Sequence, residues 1–119
     1  MSISVNTHFH PFRLVLGRKE PVELAIEVIN RGKDAKMLTL ELAISRQLAF
    51  DKGGLKSGAL ERMDRLEPDE RKNFYYKVFP KQLTQTGEHT VLVNVLEHYN
   101  DYKYVQRENK KKFSLTVVD

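Results

Sequence analysis

PVELAIEVINRG, residues 21–32, is the stretch of sequence that decides the fold. Apolar side chains occupy every second position from Val22 to Val28, and Glu23 and Glu27 lie between them. A period of two places alternate side chains on opposite faces of a β-strand. The stretch closes on Asn-Arg-Gly, a turn sequence in which glycine permits a positive φ. We therefore predict a half-buried strand followed by a tight turn.

The same alternation recurs in three later stretches. Their apolar positions are Leu38, Leu40, Leu42 and Ile44; Phe74, Tyr76 and Val78; and Val91, Val93 and Val95. Glu41 and Lys77 occupy intervening positions, which indicates a second face in contact with water. Short alternating strands that are separated by turn residues are typical of a β-sandwich.

Seven strands are predicted along the chain. They cover 3–5 together with 12–16, as one strand interrupted near Pro11, and 21–29, 36–45, 59–66, 72–79, 88–97 and 113–118. Residues 46–50 either extend the third strand or cross to the other sheet, and residues 59–66 form either a short strand or a helical turn. Because no amphipathic helix of useful length interrupts this pattern, the predicted fold class is all-β.

Length and composition fit a single domain over residues 1–119. Of the 119 residues, 40% are hydrophobic, which is enough for one core. Twenty basic and sixteen acidic residues are well mixed along the chain and leave a net charge of +4. A dedicated nucleic-acid binder concentrates its basic residues on one surface, so this composition argues against nucleic acid as the partner.

The chain has no cysteine, which excludes disulfides, thiolate zinc sites and cysteine nucleophiles. No apolar run approaches the roughly 20 residues of a membrane-spanning helix. Residues 1–16 mix histidine and arginine into their apolar positions and lack the apolar core of a signal peptide. As written, the chain is expected to be cytoplasmic. A domain excised from a larger exported protein, and therefore extracellular, would have the same sequence features.

The turns of the predicted sandwich resemble those of a known family. The residues concerned are Asn30 and Gly32 at the end of a strand; Leu66, Pro68 and Glu70 before an aromatic strand; Gly87 at the start of the next strand; and Val105, Glu108 and Asn109 ahead of the last one. Over about residues 12–118 the chain is similar to a CARDB-type immunoglobulin-like domain. It departs from the family at Asp69, where glycine is common, and at Lys110–Lys112, where the family tends to be neutral or acidic.

This resemblance implies a non-catalytic module of a kind that is repeated on surface proteins and is thought to mediate adhesion or carbohydrate-related contacts. Combined with the strand pattern, it makes the predicted fold a seven-stranded antiparallel immunoglobulin-like sandwich.

Four histidines are the candidates for a metal site. His8 and His10 are two residues apart and share a strand face, and His89 and His98 could join them. A zinc site needs three or four ligands of defined geometry, and no carboxylate or histidine stands at a typical ligand spacing. We therefore expect exposed histidines near the N-terminus and no metal.

A glycine-rich stretch, Gly53–Gly58, superficially resembles a phosphate-binding loop. A true loop of that kind has glycine directly before its lysine and a helix behind it, whereas Leu55 precedes Lys56 and no helix is predicted here. Serine, histidine and aspartate occur without a nucleophile-elbow sequence. The sequence therefore predicts no cofactor and no enzymatic activity.

The segment between the last two strands has the most unusual composition. Its candidate binding residues are Tyr99, Tyr102, Lys103, Tyr104 and Arg107. Tyrosine and arginine are enriched at binding hot spots, and Tyr102 and Tyr104, two apart, are expected to share a strand face. We predict a partner-binding hairpin at one end of the sandwich. In the alternative interpretation the tyrosines pack as cross-strand pairs, and the lysines at 110–112 discourage edge aggregation.

Several large apolar residues fall on positions that should face water. They are Ile29, Tyr75, Phe79, Leu92, Leu96 and Val118. If they share one face, that face is expected to be covered by a second copy or another protein. The alternative is that some of these segments bulge or are buried on both sides.

These features predict a non-catalytic protein-interaction or accessory module whose partner is another protein or a second copy of the chain. The alternative is a carbohydrate- or surface-binding domain of an exported assembly.

Overall fold

The chain folds as an all-β sandwich of two sheets. The computed structural model describes residues 3–119. Its strands are β1 (Ile3–His10), β2 (Arg13–Val15), β3 (Val22–Asn30), β4 (Lys36–Ile44), β5 (Leu48–Ala49), β6 (Gly58–Leu66), β7 (Arg71–Pro80), β8 (Gly87–His98) and β9 (Val105–Val118). Sheet 1 has the strand order β1-β3-β7-β5, and sheet 2 has the order β2-β9-β8-β4-β6. The predicted fold class is thus confirmed at the level of a two-sheet β-sandwich.

The predicted number of seven strands is wrong, because the described residues form nine. The interrupted first strand is in fact two strands, which separate at Pro11 after a cis peptide bond and join different sheets. Residues 46–50 cross to sheet 1, where β5 pairs with the end of β7. The expectation of a purely antiparallel fold is also wrong, since β2 runs parallel to β9. Residues 59–66 form the strand alternative, as part of β6.

The core is formed by the residues that the alternation predicted. In β3, Val22, Leu24, Ile26 and Val28 are buried. Their partners across the sandwich are Leu38, Leu40 and Leu42 of β4 and Val91, Val93 and Val95 of β8, together with Leu115 and Val117 of β9. Glu23 and Lys77, which pair across β3 and β7, are exposed on the outer face of sheet 1. The period of two therefore assigned the inward faces of these strands correctly.

The large apolar residues that were expected on one outer face lie on two. Ile29, Tyr75 and Phe79 belong to sheet 1, whereas Leu92, Leu96 and Val118 belong to sheet 2. Ile29 is in addition fully buried. Alternation along a single strand carries no information about which strands share a sheet. A single apolar face built from these six residues is therefore excluded.

Because most neighbouring strands run in opposite directions, the connections between strands lie at two opposite ends of the sandwich. The hairpin end carries residues 31–35, 67–70 and 99–104, and the lysine end carries residues 11–21, 45–57 and 81–86. The lysine end has seven basic and two acidic residues in these segments, whereas the hairpin end has three basic and five acidic residues. Within residues 3–119, no helix is long and apolar enough to span a membrane.

Candidate functional site

The hairpin tip, residues 99–104, is closed by its own hydrogen bonds. The backbone N–H of Tyr99 donates to the carbonyl of Tyr104 at 3.1 Å, and the N–H of Tyr104 donates to the carbonyl of Asp101 at 3.2 Å. The Asp101 carboxylate accepts the N–H of Lys103 at 2.8 Å. Asn100 adopts a positive φ of 68°, a conformation that asparagine tolerates better than most residues. The tip is therefore ordered without a partner.

Two of the three tyrosines at this tip are exposed. Tyr99 and Tyr104 leave 62% and 63% of their surface in contact with solvent, and their backbones face each other across the hairpin. Lys103 and Arg107 are exposed as well. Arg107 lies on β9, opposite Glu97 of β8. The tip thus presents two aromatic rings and the cationic side chain of Lys103.

Tyr102 has a different role, because its side chain folds back onto the outer face of sheet 2. Its hydroxyl donates a hydrogen bond to the Asp64 carboxylate on β6. The guanidinium of Arg62 lies 4.7 Å from the centre of its ring, in cation–π geometry. The centre of the His98 ring lies 5.1 Å from the centre of the Tyr102 ring in a T-shaped arrangement, and His98 in turn hydrogen-bonds Thr39 at 2.7 Å. Tyr102 therefore anchors the hairpin to the sheet.

The surroundings of Tyr102 keep its hydroxyl protonated. Burial, followed by the hydrogen bond to Asp64 and the charge of that carboxylate, raises the pKa of Tyr102, and the nearby Arg62 partly opposes this rise. A protonated hydroxyl is the form that can donate to Asp64. The hydroxyl therefore stays protonated to a higher pH than that of an ordinary tyrosine.

The expectation that Tyr102 and Tyr104 share a strand face is wrong. Tyr102 lies in the turn, and Tyr104 precedes β9, which begins at Val105. Strand alternation therefore does not relate their side chains. Of the five residues that the sequence predicted, the structure brings Tyr99, Lys103 and Tyr104 together at the tip, places Arg107 further down β9 and turns Tyr102 onto the sheet.

The four histidines do not meet. His8 and His10 are exposed on β1 in sheet 1. His89 is buried in sheet 2, where it hydrogen-bonds the Ser45 hydroxyl at 3.1 Å and the Gln85 carbonyl at 2.7 Å. His98 belongs to the Tyr102 anchor. No group of three or more potential ligands, counting histidine, cysteine, aspartate and glutamate, comes together within residues 3–119.

The glycine-rich stretch is a loop that is closed by Asp51. Its carboxylate accepts the backbone N–H groups of Leu55 at 2.9 Å and Lys56 at 2.7 Å. These bonds, that from Lys56 above all, lower the pKa of Asp51. The N–H groups that would face a phosphate in a phosphate-binding loop are thus bound to a carboxylate of the chain itself, and β6 follows the loop in place of a helix.

A cavity at the lysine end was not predicted. It has a volume of about 700 Å³. We name it the lysine pocket, and its lining consists of Leu16, Lys19, Pro21, Lys52, Lys77, Phe79, Pro80, Lys81, Gln82 and Thr84. Four of these ten residues are lysines and none is acidic. The lysines come from three separate parts of the sequence, around residues 19, 52 and 77–81, so no local motif could have revealed the pocket.

The walls of the lysine pocket are connected by hydrogen bonds. The Thr84 hydroxyl donates to the Gln47 carbonyl at 2.7 Å, and the N–H of Lys81 donates to the same carbonyl at 3.2 Å. The side chain of Gln47 accepts the N–H of Gln85 at 2.6 Å. The turn after β7 is therefore fixed against the segment before β5, and the pocket is largely preformed.

Comparisons with known proteins place the chain by fold only. No family model matches it, and no curated protein matches it. The chain is similar to self-complemented MyfA, the major subunit of Myf fimbriae from Yersinia enterocolitica, with a TM-score of 0.54 and 12% identity over 98% of this chain and 99% of that chain. At such low identity the likeness shows a shared β-sandwich.

A second solved structure matches part of a larger protein. Pseudomonas fluorescens alkylpurine DNA glycosylase AlkC, solved bound to DNA containing an abasic site analog, has a TM-score of 0.53 and 13% identity. The match covers 93% of this chain and only 30% of the glycosylase chain. A FixG-related protein from Vibrio parahaemolyticus matches over 96% of both chains, at 12% identity and a TM-score of 0.48.

Proposed function

We propose that the chain is a non-catalytic protein-interaction or accessory module that binds its partner through the hairpin tip. The observation that carries this proposal is the pair of exposed tyrosine rings, Tyr99 and Tyr104, on a loop that is already ordered. Tyrosine supplies a large contact area with few rotatable bonds, and tyrosines dominate many protein-binding surfaces. Because Tyr102 anchors the loop, little conformational entropy remains to be lost on binding.

Two exposed cationic side chains suit the rim of such an interface. Lys103 is exposed at the tip and Arg107 is exposed further along β9, and both can steer a partner with a complementary acidic surface. Rim charges of this kind change the rate of association more than the final affinity. The tyrosines are therefore expected to provide most of the binding energy.

A non-catalytic role is supported by the environment of the buried histidines. His89 and His98 each use a ring nitrogen to hydrogen-bond within the fold, to Ser45 and Thr39 respectively. A histidine that acts as a general base must reach a substrate cavity. Neither ring lines the lysine pocket.

We further propose that the sandwich is of the immunoglobulin-like, CARDB type. Two observations at the hairpin end support this. Asp69 adopts a positive φ of 64° at the position where the family commonly has glycine. The buried side chain of Asn30 donates to the carbonyls of Asp34 at 2.8 Å and Leu66 at 2.9 Å, which joins the two turns of the motif.

The test is partner binding by a variant that removes both exposed rings. With the purified chain as bait in native cytosol, captured proteins are quantified for the wild type, for Tyr99→Ala/Tyr104→Ala and for Tyr75→Ala. Tyr75 is a matched control, since it is 63% exposed on sheet 1, away from the hairpin. We expect the double change to weaken binding of the main partner at least about tenfold, as loss of a hot spot does. Equal capture by all three chains would refute the proposed site.

A second candidate function is binding of a carbohydrate or surface in an exported assembly. The same exposed rings favour it, because the apolar face of a sugar can pack on an aromatic ring as other apolar groups do. A glycan array probed with the wild type and the double variant separates the two functions. Binding to a defined glycan that disappears in the double variant would replace the protein partner with a sugar, and fractionation of native cells would show whether the chain is cytosolic.

A further inference from the structure

The lysine pocket has the composition of a binding site for an anion that carries an apolar group. Its apolar residues, Leu16, Pro21, Phe79 and Pro80, are all half-buried, so each still offers surface to a ligand. Cavities that bind ligands usually have volumes of 300–1,000 Å³ and combine apolar walls with a few polar groups. A volume of about 700 Å³ lies within this range.

The four lysines of the pocket, Lys19, Lys52, Lys77 and Lys81, form no ion pair with the described part of the chain. Like charges around one cavity repel each other. An anion that enters the pocket would relieve this repulsion.

The positions of the lysines indicate more than one anionic group. Lys19 follows the 3₁₀ turn Leu16–Arg18, Lys52 lies in the loop after β5, Lys77 lies on β7, and Lys81 lies in the turn behind β7. The positive charge therefore surrounds the apolar centre from several segments. A peptide with several carboxylates around one apolar side chain matches this distribution better than a ligand with a single head group.

Exposed leucines on two loops of the same end extend the apolar surface. Leu83 is 85% exposed between the pocket residues Gln82 and Thr84, and Leu55 is 88% exposed in the loop that carries Lys52. A small ligand inside the cavity would leave both leucines in water. A peptide segment that continues beyond the cavity can cover them, which favours a peptide over a small molecule.

We propose that the lysine pocket binds an acidic peptide segment of a partner protein, with one apolar side chain of the segment on Phe79 and Pro80 and its carboxylates near the four lysines. This site is at the opposite end of the sandwich from the hairpin tip. It extends the chain's role from one contact surface to two, and it does not depend on the tyrosine site.

The experiment uses synthetic peptides and the full chain. The probe is a labelled, terminally blocked peptide with three glutamates on each side of one leucine, and a second peptide has alanine in place of that leucine. Fluorescence anisotropy gives the dissociation constants at low and at high salt. We expect the leucine peptide to bind about tenfold more tightly than the alanine peptide, because the leucine side chain loses contact with water when it packs on Phe79 and Pro80.

Two variants of equal charge separate the pocket from the general basic character of the chain. Lys52→Gln/Lys77→Gln removes two charges at the pocket, and Lys33→Gln/Lys112→Gln removes two exposed charges elsewhere. We expect the pocket variant to bind the leucine peptide about tenfold more weakly than the wild type. The control variant should bind it less than about twofold more weakly. Shifts of the Phe79 ring signals in NMR spectra on peptide addition should accompany binding.

Several outcomes would overturn the proposal. Equally weakened peptide binding in both variants would mean that the peptide is held by general charge attraction. Equal affinity of the chain for the two peptides would mean that the leucine does not pack on Phe79 and Pro80. A single-stranded oligonucleotide that binds more tightly than the leucine peptide, with the same dependence on Lys52 and Lys77, would assign the pocket to nucleic acid. If the Tyr99→Ala/Tyr104→Ala variant no longer bound the peptide, the peptide site would lie at the hairpin tip.

Discussion

The two ends of the sandwich differ in how their polar groups are used. At the hairpin end, side chains are paired: Asn30 hydrogen-bonds the neighbouring turns, and Tyr102 contacts Asp64, Arg62 and His98. At the lysine end, the backbone is well paired through Gln47 and Thr84, but the lysine charges have no partner within the described part of the chain.

This difference shows that one scaffold can offer two kinds of surface. The hairpin end is suited to recognition by shape, because its exposed rings are held in place. The lysine end is suited to recognition by charge, because its cations are held around a cavity. The second kind of contact should weaken more than the first as salt screens charges.

Removing a core side chain between the two ends should affect both. Leu24 is fully buried in the middle of β3, so Leu24→Ala is expected to lower the free energy of unfolding by about 2–4 kcal/mol. Urea denaturation measures this loss. The neighbouring change Glu23→Ala, on the exposed face, should alter stability by less than about 0.5 kcal/mol. Similar losses in both variants would contradict the register of β3.

A change at Tyr102 should affect the hairpin end alone. Tyr102→Ala removes the hydrogen bond to Asp64 and the ring contacts with Arg62 and His98, and we expect a loss of about 1–2 kcal/mol and a melting temperature lower by several degrees. Calorimetry measures the shift.

The exposed tyrosines provide the comparison for this change. Tyr99→Ala/Tyr104→Ala should leave the melting temperature within about one degree of the wild type, because exposed side chains contribute little to stability. Peptide binding at the lysine pocket should be unchanged in both variants. A larger stability loss in the double variant than in Tyr102→Ala would reverse the roles assigned to the three tyrosines.

The smallest expected effect concerns a tyrosine between the sheets. Burial, followed by the nearby Glu61 carboxylate, raises the pKa of Tyr76 above its ordinary value of 10.0. Its pKa is therefore higher in the folded than in the unfolded chain. The resulting stabilisation is complete below about pH 10 and is lost as the pH rises beyond it.

Tyr76→Phe keeps the ring that packs 5.5 Å from the ring of Phe50 and removes the ionisable group. We expect its stability to fall less steeply between about pH 9 and 11 than that of the wild type, as measured by urea denaturation across this range. Tyr75→Phe, at an exposed position on the same strand, should follow the wild-type curve. Identical slopes for the wild type and both variants would contradict the role of Tyr76.

The inward faces of the long strands could be predicted from sequence because one face of each strand contacts the hydrophobic core and the other contacts water. The alternation from Val22 to Val28 records that difference directly. The division of the first strand could not be predicted in this way, since nothing local to Pro11 shows that β1 pairs with β3 and β2 with β9. Sheet membership depends on residues that are far away in the chain.

The candidate sites illustrate the same limit. The three tyrosines of the hairpin have similar sequence contexts, yet only Tyr102 meets Asp64 and Arg62, which lie 38 and 40 positions earlier on another strand. The lysine pocket is assembled from segments between residues 16 and 84. Composition could therefore indicate the hairpin as a candidate site. It could not distinguish the anchoring Tyr102 from the exposed Tyr99 and Tyr104, and it could not indicate the lysine pocket.

The pairing of β2 with β9 has a consequence for the order in which the chain can fold. Leu14 in β2 is fully buried beside Val117 in β9, about one hundred positions later. During synthesis, β2 therefore has no strand to pair with until β9 has left the ribosome. Contacts so distant in sequence slow folding to the millisecond-to-second range that is common for β-sandwiches. We expect the hairpin of the consecutive strands β8 and β9 to form early and the pairing of β2 with β9 around Leu14 to form last.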